Sequence, residues 1–207
     1  VAVLAKRFKE AGFKLYEVGG SVRDSMLGVE SSDADFTTDA TPEQTKEILT
    51  KSKLGSVFGI GEAFGTVGLH TPDGKKIEIT TFRKEVYPTS SRKPVVEYGT
   101  NLEDDLARRD FTFNAMARDV LSEKLIDPFK GKEDLKKGVI RTVGSAKERY
   151  AEDPLRMMRA VRFASKMGFK LDTEMPEPEK LENISKERIQ EELNKILTSK
   201  DPKRGIE

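Results

Sequence analysis

Apolar and polar positions in the first part of the chain follow helical and strand periods in turn. Residues 2–11 predict an amphipathic helix. FKLYEVGG predicts a short buried strand that ends at a glycine pair, and SVRDSMLG predicts a short helix capped by Ser21. DADFTT alternates as a strand, and TPEQTKEILTKS predicts a helix with Thr41 as its cap and Pro42 in its first turn.

The middle of the chain continues this mixed pattern. GTVGLHTPDGKKIEITTFR predicts a β-hairpin with its turn at Pro72-Asp73-Gly74, and the Ser-, Pro- and Tyr-rich residues 84–101 predict a loop. LEDDLARRDFTFNAMARD predicts a helix, a polar break and a second helix. KLIDPFKGKEDLKKG predicts a strand, a turn and a short helix.

The pattern changes near residue 140. From Ala146 onward it is mostly helical, whereas the preceding part mixes strands and helices. We therefore predict an α+β protein with two domains, residues 1–140 and residues 141–207.

Composition narrows the class of protein. Hydrophobic residues make up 36% of the chain and charged residues 35%, which is typical of a globular protein with a wet surface. No apolar run approaches the roughly 18 residues that span a bilayer, and the N-terminus lacks the pattern of a secretory signal. We therefore expect no membrane association and a cytoplasmic location.

Metal chemistry is limited to oxygen ligands. The chain has no cysteine and one histidine, His70, which excludes disulfides and thiolate metal sites and disfavours an imidazole site. Oxygen ligands favour magnesium, manganese or calcium. From Lys130 onward there are 19 Lys and Arg residues and 15 Asp and Glu residues. This mild basic excess suits an anionic partner, and ordinary variation of surface charge is the alternative.

Acidic residues in two predicted strands suggest a metal site. Asp33 and Asp35 are two positions apart, so a strand places both carboxylates on one face. In KIEITTFR, Ile77 and Ile79 point to the core and Glu78 to the opposite face. Like charges this close repel unless a cation lies between them. The alternative is a pair of solvated loop aspartates, but three carboxylates on adjacent strands suit two-metal phosphoryl or nucleotidyl transfer.

The glycine pair before these acids suits a phosphate. Gly19 and Gly20 allow backbone N–H groups to approach a triphosphate, and Arg23 follows where it can reach a phosphate. In RRDFTFNAMA, the polar residues Arg109 and Asp110 lie among apolar ones. One interpretation is a helix cap at Asp110 with solvated charges around it.

The segment EDPLRMMRAVRF has two interpretations. One is an amphipathic helix with surface ion pairs. The other is a nucleobase site, because aspartate accepts from an amino group and arginine donates to a ring nitrogen or carbonyl. Asp153 and Arg156 would then complement the pairing edges of cytosine and adenine, and not those of uracil and guanine. Arg159 and Arg162 follow at helical spacing.

Several segments together resemble one family. GGSVRDSMLG followed by DADFTT resembles the first signature of the class II tRNA nucleotidyltransferases, the CCA-adding enzymes, and of the related bacterial poly(A) polymerases. GEAFGTVGL and IEITTFR resemble the family's sheet, LARRDFTFNAMA its ribose-recognition signature, and DPFKGKEDLKKGVIRTVG its hinge. AEDPLRMMRAVRFASKMGF resembles the nucleotide-selecting helix and SKERIQEELNKIL the last signature. These segments span residues 12–197 in the family's order.

The resemblance implies a fold and a set of site residues. The fold would be a DNA polymerase beta-like nucleotidyltransferase head with a mixed sheet, followed by an all-helical neck. Mg²⁺ would be bound by Asp33 and Asp35, with Glu78 completing the catalytic set. The implied nucleotide-binding residues are Gly19, Gly20, Arg23, Arg109, Asp153, Arg156, Arg159 and Arg162.

The implied activity is template-independent addition of C and A, from CTP and ATP, to the 3′ end of tRNA. Bacterial poly(A) synthesis and A-only or CC-only addition remain alternatives. A non-catalytic RNA-binding module is disfavoured, because such a module does not need three acids beside a triphosphate. The chain departs from the family at the proline-containing TEMPEPEKLEN, and we expect this sequence to cover the family's head and neck without its body and tail domains.

Overall fold

The computed structural model describes residues 1–29, 34–59, 65–86, 95–99, 101–172, 174–177, 181–182 and 184–206. The chain forms two compact units. The first contains Val1–Arg109 and Asn114–Pro128, and the second contains Asp110–Phe113 and Phe129–Glu207. Residues 129–140 therefore group with the second unit. The domain boundary near residue 140 stays a prediction, which compactness alone does not test.

The first unit is built on a mixed seven-stranded sheet in the order β3-β4-β5-β2-β1-β8-β9. Neighbouring strands are antiparallel except β2 and β5, which are parallel. This sheet confirms the predicted α+β class. The strands of the first unit are β1 (Leu15–Val18), β2 (Ala34–Thr38), β3 (Ser56–Gly59), β4 (Thr66–His70), β5 (Lys76–Thr81), β6 (Arg83–Val86), β7 (Val95–Tyr98), β8 (Ala117–Asp119) and β9 (Leu125–Ile126).

One face of this sheet carries the hydrophobic core. Helices α1 (Ala2–Glu10) and α3 (Pro42–Ser52) cover it, as predicted from their periodicity. Thr41 caps α3: its hydroxyl accepts from Gln44 N at 3.3 Å, and Gln44 Oε1 accepts from Thr41 N at 2.8 Å. The buried cluster comprises Leu4, Ala5, Phe8, Leu15, Phe36, Ala40, Ile48, Leu49, Val67, Leu69, Ile77 and Ile79.

The opposite face of the sheet, called the open face below, is polar. Because strand side chains alternate, the buried Phe36 directs Asp35 and Thr37 to the open face. In β5 the buried Ile77 and Ile79 direct Glu78 to the same face, as predicted.

Residues 84–101 do not form the simple loop that their composition predicts. β6 and β7 pair antiparallel, from Arg83 opposite Tyr98 to Val86 opposite Val95. The β-branched residues of VVEY favour a strand, and the Ser and Pro residues between the two segments obscured that signal. Residues 87–94 lie outside the described part of the chain.

The predicted second helix in FTFNAMARD is also wrong. Helix α4 (Leu102–Ala107) is present, but a short 3-10 helix (Thr112–Asn114) and β8 follow it. Residues 111–117 are all buried, so this segment lacks the solvent-facing stripe of a surface helix. β8 pairs with β1, with Ala117 opposite Val18, and the pairing satisfies the backbone groups of β1.

The second unit is mainly helical, as predicted, with one added pair of parallel two-residue strands. Its aromatic core is centred on Phe163, whose ring meets those of Phe111 and Phe113 edge-on at 5.7 and 5.3 Å. No helix in the described part of the chain is long and apolar enough to cross a membrane. The elements are α5 (Gly131–Lys137), β10 (Val139–Ile140), α6 (Ala146–Glu152), α7 (Leu155–Met167), β11 (Lys170–Leu171), α8 (Lys186–Leu197) and a 3-10 turn (Lys203–Gly205).

Candidate nucleotide and metal site

Two of the three predicted carboxylates are direct neighbours on the open face. Asp35 on β2 lies opposite Glu78 on the parallel strand β5. Paired strands are about 4.8 Å apart, so both side chains can reach a common cation. Asp35 is exposed and Glu78 is partly exposed, so an ion can reach them from solvent. Asp33 lies outside the described residues, and its place in this set stays a prediction.

A cation already lies against one of these two carboxylates. Lys76 Nζ is 2.5 Å from Glu78 Oε1. Within the described residues, no three Asp, Glu or His side chains form a ligand group. The oxygen donors of Asp35 and Glu78 nevertheless fit a magnesium or manganese ion, which prefers carboxylates. Binding such an ion through Glu78 requires Lys76 to release its carboxylate.

The predicted glycine turn brings two arginines together. Gly19 has φ +72°, a conformation that favours glycine, and leads from β1 into α2 (Gly20–Met26). A Cβ atom at Gly19 would lie 3.1 Å from Arg109 Nη1, and one at Gly20 would lie 3.4 Å from Arg23 Nη2. Two guanidinium groups therefore flank the turn, and such groups bind phosphate oxygens through charge-assisted hydrogen bonds. The predicted cap residue Ser21 is wrong, because α2 begins after Gly19.

Arg23 is buried and held on both sides. Its Nε donates to Asp24 Oδ1 at 2.8 Å, and its Nη1 donates to Asn114 Oδ1 at 2.7 Å. Only about 6% of its surface is accessible. These contacts orient the guanidinium before any ligand arrives.

Arg109 is held by a fully buried carboxylate. Asp105 Oδ2 accepts from Arg109 Nη2 at 3.3 Å, and Asp105 Oδ1 accepts from Arg108 Nη2 at 2.9 Å. Burial alone would raise the pKa of Asp105, but the positive charges of Arg109 and Arg108 outweigh it and hold the pKa below its usual value. Asp105 is therefore a carboxylate at neutral pH.

Arg109 retains hydrogen-bonding capacity beside the glycine turn. Its Nε is buried and has no hydrogen-bond partner among the described residues. A buried donor without a partner is unfavourable, so a ligand oxygen that accepts from it would be bound more tightly. The contact with Asp105 also places Arg109 on the open face of the sheet. Asp105 Oδ2 accepts from Thr37 Oγ1 at 3.4 Å, and Thr37 lies on that face.

The glycine turn and the carboxylate pair lie at the same end of the sheet. Glu17 on β1 is opposite Phe36 on the antiparallel strand β2, so β1 leads into Gly19 at the same end of the sheet where β2 begins, one residue before Asp35. A polyphosphate held by the two arginines would therefore approach a cation held by the carboxylates. This combination suits phosphoryl or nucleotidyl transfer.

The second unit contains the predicted base-reading residues at the start of α7. Asp153 Oδ1 accepts from Leu155 N at 3.2 Å, and its Oδ2 accepts from Arg188 Nη2 at 2.8 Å. Arg156 Nη1 donates to Glu152 Oε2 at 2.7 Å and to a backbone carbonyl of α6 at 3.1 Å. Asp153 and Arg156 are thus each oriented by other groups.

The two following arginines are also paired with acids. Arg159 Nη2 is 2.6 Å from Asp110 Oδ2, and the charge of Asp110 raises the pKa of Arg159, which stays protonated. Arg162 Nε is 3.0 Å from Glu192 Oε2. Their side chains are only 35% and 17% exposed, so these are not solvated surface pairs. Asp110 is not a helix cap, because no α-helix follows it.

The sequence predictions give no positioning role to three residues that the structure shows orienting others. Asp105 precedes Arg108 and Arg109 by three and four residues, a helical spacing that could have identified it. Asn114 is 91 residues from Arg23, and Arg188 is 35 residues from Asp153. No local pattern connects these last two with their partners.

Two family models match the chain. Residues 15–141 match the Poly A polymerase head domain, and residues 173–207 match the probable RNA and SrmB-binding site of polymerase A. The first match covers more than half of the chain.

Curated and solved relatives agree with these matches. A CCA-adding enzyme of Ligilactobacillus salivarius is 44% identical over 99% of this chain and 50% of its own length. The CCA-adding enzyme of Bacillus stearothermophilus in complex with CTP is 38% identical, with a TM-score of 0.81 over 98% of this chain and 49% of its own. That of Thermotoga maritima in complex with tRNA is 30% identical, with a TM-score of 0.81 over 99% and 48%. The chain spans about half the length of these relatives.

Proposed function

Because the chain belongs to the poly(A) polymerase head-domain family, we propose that it forms the catalytic part of a template-independent RNA nucleotidyltransferase. It would add C and A, from CTP and ATP, to the 3′ end of tRNA. The observation that carries this proposal is the Asp35–Glu78 pair at the same end of the sheet as the arginine-flanked glycine turn. The tRNA substrate favours a cytoplasmic location.

In the head, each group has one task. Asp33 and Asp35 would hold Mg²⁺, and Glu78 would complete the set. A bound divalent ion makes the attacking hydroxyl more acidic and stabilises the leaving phosphate oxygen. Gly19, Gly20 and Arg23 would hold the triphosphate.

Arg109 would hold the nucleotide from the other side of the glycine turn. Its Nη2 is fixed by Asp105, while its Nε retains capacity for a ligand oxygen. The charge and the direction of this group are set before binding, so little reorganisation is needed when the nucleotide arrives.

In the second unit, Asp153 and Arg156 would select the base. A carboxylate offers about four acceptor positions, and Asp153 uses two for Leu155 N and Arg188. It can still accept from the exocyclic amine of cytosine or adenine while Arg156 donates to the neighbouring ring nitrogen. Arg159 and Arg162 would hold the nucleotide or its phosphates.

The test is to supply the protein that contains this chain with tRNAs lacking CCA, CA or A, with CTP, ATP and magnesium, and to sequence the products. Restoration of CCA to each supports the proposal. Long A tails would instead indicate poly(A) synthesis, and products limited to A or to CC would indicate a partial activity. No incorporation at all would leave a binding module.

A further inference from the structure

The open face contains an aromatic residue in line with the carboxylates. Phe58 on β3 is opposite Gly68 on β4, Gly68 is opposite Glu78 on β5, and Glu78 is opposite Asp35 on β2. Directly opposite residues of a sheet share a face. The four residues therefore form one row across the open face.

The ring of Phe58 extends over Gly68 and stacks face to face on a second ring. A Cβ atom at Gly68 would lie only 2.3 Å from Phe58 Cζ, so the ring occupies the space that any other residue at position 68 would fill. Phe58 also stacks on His70, with ring centroids 4.2 Å apart and planes inclined by 16°. We call Phe58 and His70 the aromatic shelf.

The aromatic shelf is not part of the hydrophobic core. That core lies on the opposite face, under α1 and α3. Phe58 is partly exposed and His70 is exposed. Lys76, whose ammonium group is paired with Glu78, is opposite His70 in the sheet. Aromatic rings beside a cation are the combination that binds unpaired nucleic acid, with rings for bases and cations for phosphates.

The row also sets a distance. Phe58 is two strand spacings from Glu78, or about 10 Å, and three from Asp35. This is the scale of a nucleotide.

We propose that the aromatic shelf stacks on an unpaired base at the 3′ end of the acceptor RNA and thereby brings the terminal hydroxyl to Asp35 and Glu78. This inference rests on the proposed function, in which Asp153 and Arg156 take the base of the incoming nucleotide. Stacking tolerates any base, because every base has a π face. A site without base preference suits an acceptor whose last base changes after each addition.

The test replaces the aromatic ring of Phe58 by an apolar side chain that can still cover Gly68. Phe58→Leu should raise the KM for a tRNA acceptor about 5- to 100-fold, because base stacking of this kind contributes that range of affinity. The KM for CTP should change less than about twofold, which is small beside the change expected in the KM for the tRNA acceptor. Phe58→Tyr should recover most of the lost RNA affinity. Leu121→Ala, at an exposed position of the same unit, is the matched control.

A binding measurement separates this inference from the proposed function. An acceptor RNA ending in 2-aminopurine, mixed with the protein without nucleotide, should lose fluorescence on binding, and the loss should be smaller with Phe58→Leu. If Phe58→Leu does not fold, His70→Ala at the exposed edge replaces it. Normal quenching by a folded variant, or a raised KM for CTP alone, overturns the aromatic shelf even if CCA addition occurs. Fluorescence loss that depends on Phe58, in a protein that incorporates no nucleotide, would refute the proposed enzymatic function and support base stacking on the aromatic shelf.

Discussion

The arginines of the two units are both oriented by acids, but they offer a ligand different groups. In the head, Arg109 is held by the buried Asp105 beside a glycine turn, and its Nε has no hydrogen-bond partner among the described residues. In the second unit, Arg156 is held by Glu152 at the start of α7, where Asp153 adds a carboxylate. The head arrangement offers donors beside the turn, which suits an oxygen-rich ligand such as a triphosphate. The second offers a donor and an acceptor, which suits recognition of a base by its hydrogen-bond order.

The largest effect is expected from the carboxylate pair of the head, on which the proposed chemistry depends. Asp35→Ala should lower kcat about 1000-fold or more, because metal stabilisation of the transition state contributes several kcal/mol. Asp35 is exposed, so the melting temperature should hardly change. Single-turnover incorporation of CTP measures the loss, and the exposed Asp104→Ala is the control. Near-normal magnesium-dependent activity of Asp35→Ala would remove this site from the mechanism.

The next effect is on stability. Asp105→Asn removes the buried partner of Arg108 and Arg109, and breaking a buried ion pair costs about 3–5 kcal/mol. The folded pKa of Asp105 is lowered, so its contribution is complete above the unfolded value of about 3.9 and is lost as the pH falls through the folded value. Urea unfolding at several pH values should show that the difference in the free energy of unfolding between wild type and variant becomes smaller in acid. A difference that is constant with pH would contradict the ion pairing of Asp105 with Arg108 and Arg109.

Arg109→Ala tests whether the head reads the base. A hydrogen bond to a charged group contributes about 1.5–3 kcal/mol, so the KM for CTP and for ATP should rise about 10- to 150-fold. Both should rise by the same factor, because Arg109 is proposed to contact parts that CTP and ATP share. A variant that weakens only RNA binding would show that Arg109 belongs to a different site.

The second unit should show the opposite behaviour. Replacing Asp153 and Arg156 together by Ala should relax the preference for CTP over UTP about 5- to 150-fold, since one lost hydrogen bond in a desolvated site contributes about 1–3 kcal/mol. The carboxylates of the head still support chemistry in this variant. Loss of stability and of all activity, with an unchanged CTP to UTP ratio, would mean that the two residues only brace the helix.

The smallest effect is expected from Arg188, which orients Asp153 in the second unit. Arg188→Ala removes the partner of Asp153 from a partly exposed pair, which contributes at most about 1 kcal/mol. The CTP to UTP ratio should fall up to about fivefold with little change in melting temperature. Arg188→Lys should recover part of that ratio. A change in kcat for CTP and UTP alike would give Arg188 a general role instead.

Local patterns in the sequence determined much of the fold and part of the site. The helix capped at Thr41 and the hairpin around Gly74 follow from turn chemistry and periodicity, which act over a few residues. The shared face of Asp35 and Glu78 follows from strand alternation next to Phe36 and Ile77. The glycine pair and Arg23 are readable from the turn that follows β1, whereas the role of Arg109 was implied only by the resemblance to the family.

Only the tertiary structure decided the contacts between distant segments. β8 forms a strand because β1 offers it backbone partners, although FTFNAMARD favours a helix locally. Asn114 meets Arg23 across 91 residues, and Thr37 meets Asp105 across 68. Phe58 lies over Gly68 because strand register brings them opposite each other. Backbone pairing, buried charge and ring stacking all depend on groups that the folded chain brings together, and no short window of sequence contains both partners.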